Sequence, residues 1–164
     1  MSYCSRRFLL SVLPALALSG CGFSPAYAPG GSANALQGAI LVDAPTDRAA
    51  YLFTRHIEDR LGRAAPGRYG LGYAISLDED SVAISADNVI TRYNILGTVK
   101  YALRDLKTKE VVLTGSVDNF VGYSASGSTV ATQAARRDAE ARLMGILAEQ
   151  ILNRLTAEAG RLAP

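Results

Sequence analysis

Apolar and polar positions recur with different periods along the chain, and each change of period marks a predicted element. A short apolar run at residues 38–42 (GAILV) predicts a first strand. After it, Thr46 or Asp47 can cap a helix that runs to about residue 61, because apolar residues then fall on one helical face. That face consists of Ala50, Phe53, Ile57 and Leu61.

From Tyr69 onward the period changes to two, which is typical of strands with one buried face. Asp87-Asn88 is a predicted turn after the first of these strands, and residues 107–109 (KTK) form a predicted hairpin turn. Consecutive strands joined in this way pair antiparallel. The predicted buried positions are Leu71, Tyr73, Ile75 and Leu77 in one strand, Tyr93, Ile95, Val99, Tyr101 and Leu103 in the next, and Val111, Leu113, Val117, Val121 and Tyr123 in the last.

A flexible link at residues 124–129 precedes a long amphipathic helix, predicted from about residue 131 to residue 159. The order of elements is then β-α-β-β-β-α. Two amphipathic helices can cover one face of a four-stranded sheet. The predicted fold is therefore α+β, with a mainly antiparallel sheet covered on one face by two helices. The apolar stripe of the long helix is Leu143, Ile146, Leu147, Ile151, Leu152 and Leu155.

The amino terminus has the pattern of a secretory signal. Arg6-Arg7 precede an apolar run at residues 8–18 that is too short to span a bilayer. The run ends in Leu18-Ser19-Gly20-Cys21, which resembles the lipobox of bacterial lipoproteins. We predict a lipoprotein signal peptide over residues 1–20 and lipidation at Cys21. The alternative is an ordinary signal peptide with an incidental cysteine.

The segment after Cys21 differs in composition from the rest of the chain. It is rich in Gly, Pro, Ser and Ala, which is typical of a flexible tether. The predicted organisation is therefore a lipid-anchored tether over residues 21–37 and a single α+β domain over residues 38–160.

The charge balance argues against one class of partner. The whole chain carries 17 basic and 15 acidic side chains, and the predicted signal peptide contains two of the basic ones. The mature chain is thus close to neutral, which gives no general electrostatic basis for binding nucleic acid. Cys4 would leave with the signal peptide. Cys21 then remains as the single cysteine, and no internal disulfide is expected.

Nothing in the sequence predicts catalysis. His56 is the one histidine and lies in the first predicted helix, where it is far more often a surface or packing residue than a catalyst. The chain contains no GxSxG, HExxH or phosphate-loop motif. Asp78-Glu79-Asp80 either binds a cation or, as we expect, forms a solvated strand end or edge that discourages mispairing. We predict no enzyme activity, no metal site and no cofactor.

Two groups of basic residues are candidates for contact with an anionic lipid or a partner. Arg92, Lys100 and Arg104 share one side of a predicted strand, opposite its apolar side. A helix layer on the apolar side would leave this basic stripe facing outward. Arg136-Arg137 lie in the long helix and either meet an external anion or form part of a charged helix face beside Asp138.

Four long stretches, in this order along the chain, carry a resemblance to a known family. They are SGCGFSPAYAPGG at residues 19–31, YLFTRHIEDRLG at 51–62, ADNVITRYNILGTVKYALRDL at 86–106 and GSVDNFVGYSASGSTVATQAARRDAEARLMGILAEQI at 115–151. Together they resemble the LPS-assembly lipoprotein family, LptE, in the form found in alphaproteobacteria. The family fold, a four-stranded sheet with two helices, agrees with the order of elements predicted above.

The resemblance implies a non-catalytic outer-membrane lipoprotein on the periplasmic side. It would assemble with the β-barrel LptD, plug its lumen and help deliver lipopolysaccharide to the outer leaflet. Gly22 in place of Asp after the predicted lipidated cysteine fits outer-membrane sorting in Gram-negative bacteria. An alternative function is that of an auxiliary lipoprotein in an ABC-type envelope lipid transport system. The candidate contacts with lipopolysaccharide or the partner are Arg92, Lys100, Arg104, Arg136 and Arg137.

Overall fold

The computed structural model describes residues 34–84, 87, 89–125 and 127–162 of the chain. The predicted signal peptide, the lipidation at Cys21 and most of the predicted tether lie outside the described residues. Asn88 of the predicted turn also lies outside them, whereas Asp87 is in a turn between two strands.

The described chain begins with a 3-10 turn at Asn34–Leu36, followed by strand β1 (Ile40–Val42) and helix α1 (Arg48–Leu61). Leu36 is buried in the domain core, although composition assigned this position to the tether. Asp47 is the N-cap of α1, one of the two residues that the sequence offered for this role. Its carboxylate accepts a hydrogen bond from the backbone N–H of Ala50 at 2.8 Å, which satisfies a donor that the first helical turn leaves unpaired.

Three long strands follow, β2 (Tyr69–Ile84), β3 (Ile90–Asp105) and β4 (Val111–Ser124). The sheet order is β1-β2-β3-β4, in which β1 pairs parallel with β2 and the other pairs are antiparallel. The parallel pair arises because α1 returns the chain to the start of the sheet before β2 begins. The predicted α+β fold with a mainly antiparallel sheet is confirmed.

Helix α2 (Thr129–Leu162) completes the domain and starts slightly earlier than the apolar period predicts. The hydroxyl of Ser128 accepts a hydrogen bond from the backbone N–H of Ala131 at 3.2 Å and so caps the helix before its apolar stripe begins. No helix among the described residues is long and apolar enough to cross a membrane.

Both helices pack on the same face of the sheet, with α1 over β2 and α2 over β3 and β4. The rings of Phe53 and Tyr73 lie 4.9 Å apart where α1 meets β2, and the hydroxyls of Thr54 and Tyr73 are 2.8 Å apart. The α2 stripe supplies the largest group of fully buried side chains: Ala139, Leu143, Met144, Leu147, Ala148, Ile151 and Leu155.

Three positions predicted to be buried are exposed. Leu77 lies on β2 beyond the three residues that pair with β1, so that part of β2 is a sheet edge. Val111 begins β4 beside a register shift between Leu103 and Arg104, and more than half of its surface is exposed. Ile146 lies on the outer side of α2 rather than in its buried stripe. Alternation and helical period place a side chain on a face, but they do not say how far the opposing layer extends.

Candidate functional site

The sheet has two faces with opposite surroundings. The face that carries Tyr93, Ile95, Val99 and Leu103 is covered by the helices. The opposite face of β2, β3 and β4, here called the open face, has no described element packed on it. Its residues alternate with the buried ones along each strand, so the open face is a direct consequence of the two-residue period.

Strand register defines how side chains lie across the open face. Small residues and hydroxyl groups occupy most of its positions on β2 and β4, and the charged residues stand among them. From one end to the other, the rows that cross β2, β3 and β4 are Gly72–Ala102–Thr114, Ala74–Lys100–Ser116, Ser76–Thr98–Asp118, Asp78–Leu96–Phe120 and Asp80–Asn94–Gly122.

The three basic residues predicted to share a strand side are exposed on this face. Arg92, Lys100 and Arg104 form no ion pair with any residue that the structure describes. Arg104 reaches across Gly72, where a Cβ atom would come within 3.3 Å of its Nη2 atom. The other two are separated by eight residues of β3, about 26 Å along the strand, so they do not form a single cluster.

Acidic residues flank this basic row on both sides. Asp78 and Asp80 lie on β2, and Asp118 lies on β4 diagonal to Lys100. The open face is therefore a cationic central strand between two anionic neighbours and is balanced overall. The two-residue alternation along β3 was enough to predict that the basic residues share one face. The positions of the acidic residues on β2 and β4 beside them depend on strand order and register.

An apolar pair lies in the middle of these charges, and sequence analysis missed it. Leu96 and Phe120 are direct cross-strand partners, with 38% and 60% of their surfaces exposed. Each stands on the polar side of its strand, so alternation alone marks them as isolated exceptions. The sequence does show an apolar residue at a position where the alternation predicts a polar one in each strand. The strand register is needed to show that these two residues are adjacent.

Arg136 is placed apart from the basic row, on the helix layer. Its Nε donates a hydrogen bond to Glu79 Oε2 at 2.7 Å, and the hydroxyl of Tyr123 donates to Glu79 Oε1 at 3.0 Å. Burial, together with the hydrogen bond to Glu79, raises the pKa of Tyr123 to about 12. The pair between Arg136 and Glu79 thus ties the first part of α2 to β2, and Arg137 is exposed beside it.

The outer edge of β4 carries two interactions that satisfy its free backbone groups. Arg154 of α2 donates to the carbonyl of Ser116 at 2.7 Å, and the side chain of Asn119 accepts from the backbone N–H of Phe120 at 2.8 Å. Edge groups that are already bonded are less available to pair with an added strand.

The helix layer contains an open groove between α1 and α2, with a volume of about 780 Å³. His56 is exposed and lies against Gly145 in this groove, which Arg142, Ile146 and Glu149 also line. A hydrogen bond from Arg60 at 2.6 Å is the main cause of the lowered pKa of Glu149. Among the described residues, no three His, Cys, Asp or Glu side chains are grouped to hold a metal ion.

Taken together, the geometry defines a small two-layer domain whose uncovered face is exposed and of mixed charge. A family model for lipopolysaccharide assembly, LptE, matches residues 37–155, which is most of the chain. The chain belongs to the LptE family. No curated protein matched it.

Solved structures share the fold. A candidate lipoprotein from Caulobacter crescentus CB15 is 26% identical, with a TM-score of 0.65, and the match covers 81% of this chain and 98% of that one. Rare lipoprotein B from Shewanella oneidensis is 14% identical, with a TM-score of 0.57 and coverage of 76% and 96%. Lipoprotein B from Nitrosomonas europaea is 11% identical, with a TM-score of 0.56 and coverage of 74% and 84%.

Proposed function

We propose that this chain is a non-catalytic outer-membrane lipoprotein that assembles with the β-barrel LptD and occupies its lumen during lipopolysaccharide transport. It would be anchored through a lipid on Cys21 and would lie on the periplasmic side of the membrane. The observation that carries the proposal is the match of the lipopolysaccharide-assembly family over residues 37–155.

Two features of the chain support the finer parts of this proposal. The sequence around Cys21 resembles a lipobox, which supplies an anchor. The domain also has one polar face of balanced charge, and the lumen of an outer-membrane barrel is polar as well. A mixed-charge face is suited to contact with such a wall through hydrogen bonds and paired charges.

Affinity purification of the tagged lipoprotein from detergent-solubilised native envelopes tests the proposal. We expect a large β-barrel at a one-to-one ratio by mass spectrometry, and an unrelated tagged outer-membrane lipoprotein is the matched control. Recovery of an inner-membrane ABC transporter would favour the auxiliary-lipoprotein function instead. Recovery of nothing stoichiometric would contradict the plug role.

The anchor is tested separately by Cys21→Ser. We expect this variant to lose palmitate labelling and to accumulate as precursor or in the soluble periplasmic fraction. Labelled protein in the membrane fraction, at the wild-type level, would rule out lipidation at Cys21.

The basic residues are tested by reversing Arg92 and Lys100 to Glu. We expect weaker binding to the barrel or to lipopolysaccharide, because both side chains are exposed and free to contact an external anion. Reversal of Arg137 and Arg136 tests the second group. Unchanged affinity for both ligands in a folded protein would leave these side chains without a binding role.

A further inference from the structure

We propose that the open face of the sheet, rather than the helix layer, docks on the polar inner wall of the barrel, with Leu96 and Phe120 as its apolar anchor. This inference rests on the proposed function and specifies which of the two layers of the molecule meets the barrel. It is argued from shape, exposed apolar surface, charge and the state of the sheet edge.

The shape of the open face suits a flat partner. Ala74 and Ser76 line it on β2, and Thr114 and Ser116 line it on β4, so these parts of the two flanking strands carry short side chains and the long ones lie mainly on β3. Sheets pack face to face at about 10 Å when their side chains allow close approach. Three strands about 4.8 Å apart and roughly 45 Å long present on the order of 700 Å² in projection. That area is comparable with the roughly 800 Å² that each partner buries in a standard interface.

Leu96 and Phe120 provide an anchor within this flat surface. Phe120 is one of the most exposed aromatic side chains among the described residues, and its cross-strand partner Leu96 extends the same apolar patch. Aromatic side chains surrounded by polar ones are typical of the few positions that dominate the binding energy of an interface. No described helix or strand packs over the pair, and both side chains are exposed.

The charges distinguish the two layers of the molecule. On the helix layer, charged residues pair with one another, as in Arg48–Glu140, Arg60–Glu149 and Arg142–Asp138. On the open face, Arg92, Lys100 and Arg104 have no ion-pair partner among the described residues. The unpaired cations are therefore available to a partner, whereas the helix layer is largely satisfied.

The arrangement of these charges also selects the kind of partner. A cationic strand between Asp78 and Asp118 requires a surface that carries both signs, as a polar barrel wall does. An anionic lipid surface would meet the acidic flanks as well as the cations. A second copy packed face to face with aligned strands would place β3 on β3. The basic residues of the two copies would then lie opposite each other and repel.

At the β4 edge, backbone groups that are already bonded disfavour the addition of a partner strand. Arg154 and Asn119 already satisfy backbone groups of Ser116 and Phe120 in the middle of that edge. A partner strand would have to displace both interactions before it could pair there.

The test compares two double variants of the full-length tagged lipoprotein in its native envelope. The first replaces Leu96 and Phe120 with Thr, which keeps strand propensity. The matched control replaces Ile146 and Tyr51 with Gln on the helices, where 38% and 55% of the two side chains are exposed, close to the values for Leu96 and Phe120. Barrel recovered per lipoprotein is measured, and circular-dichroism melting of each purified variant confirms that it is folded.

We expect the open-face variant to lose about tenfold in recovered barrel and the control to stay within about twofold. A photo-crosslinking residue at position 76 on the open face should link to the barrel, and one at position 153 on α2 should not. Equal losses for both variants, or crosslinks to the barrel from position 153 alone, would overturn the inference while leaving the proposed function intact. Wild-type protein that recovers no barrel would overturn both. Self-crosslinking from position 76 would show that a second copy occupies the face.

Discussion

The two faces of one sheet differ in nearly every physical respect, although the same three strands build both. On the covered face, Val99 and Leu103 are fully buried beneath the helices, and Gly97 lies so close to α2 that a Cβ atom there would contact Leu147. On the open face, small side chains, unpaired cations and the exposed pair Leu96–Phe120 alternate with them. Burial assigns the stability of the domain mainly to the covered face, and we propose recognition for the open face, so substitutions should separate the two roles.

The largest expected difference in stability is between truncating a leucine that is buried against the covered face and truncating one on the open face. Leu147→Ala should lower the free energy of unfolding by about 3 kcal/mol, since the side chain is fully buried and its removal leaves a cavity. Leu96→Ala should cost less than about 1 kcal/mol, because that side chain is partly exposed already. Urea unfolding of both variants measures the difference, and equal losses would contradict the division into two roles.

The next comparison places the same new methyl group on each face. Gly97→Ala should cost roughly 1–3 kcal/mol, because the Cβ would lie 2.9 Å from Leu147 Cδ1 and 3.0 Å from Leu143 Cδ2 inside a packed core. Gly122→Ala should cost less than about 1 kcal/mol, since its nearest neighbour is the end of the Asn94 side chain, which can rotate away. Thermal melting ranks the pair, and a more damaging change at Gly122 would show that the open face is rigidly packed.

A smaller effect is expected from the hydrogen bond between Tyr123 and Glu79. Tyr123→Phe should cost about 1 kcal/mol below pH 10, the typical contribution of one such bond. The raised pKa of Tyr123 predicts a pH dependence, because the folded state favours the neutral phenol. The stabilisation that this preference contributes is fully present below pH 10 and is lost as the pH rises from 10 to about 12.

Unfolding measured between pH 8 and pH 12 checks this sign. The wild-type curve should fall more steeply than that of Tyr123→Phe over the last two pH units. Parallel curves would mean that the ionisation of Tyr123 is not linked to folding.

The smallest effect on stability is expected at the centre of the open face. Lys100→Glu should change the free energy of unfolding by no more than about 0.5 kcal/mol, because the side chain is exposed and pairs with no described residue. Its effect should appear in barrel binding instead. A large loss of stability would show that Lys100 contributes to the fold and would remove it from the candidate contacts.

Local patterns were sufficient to predict most of the fold. Asp47 as a helix cap, the alternation through Val99 and the turn at residues 107–109 each depend on neighbours within a few positions. Such signals are strong because capping and strand alternation are properties of the backbone itself. The errors at Leu77 and Ile146 arose where the extent of a neighbouring layer, rather than the period, decides burial.

The candidate site was predicted less completely. The alternation along the strand predicted that Arg92, Lys100 and Arg104 lie on its polar side, and all three are exposed in the structure. The sequence placed Arg136 in a separate group on the long helix but could not show that it is paired, because its partner Glu79 lies 57 positions away. Leu96 and Phe120 were not noticed as a pair, since 24 residues and a hairpin separate them.

By itself, the sequence determined the kind of each element, its approximate limits, its apolar side and the basic row on β3, because backbone geometry converts local spacing directly into a face. Tertiary structure alone decided which charges found partners, how far the helices cover the sheet and which exposed residues became neighbours. The physical reason is that strand register and layer packing bring together residues distant in sequence, and a spacing rule carries no information about such contacts.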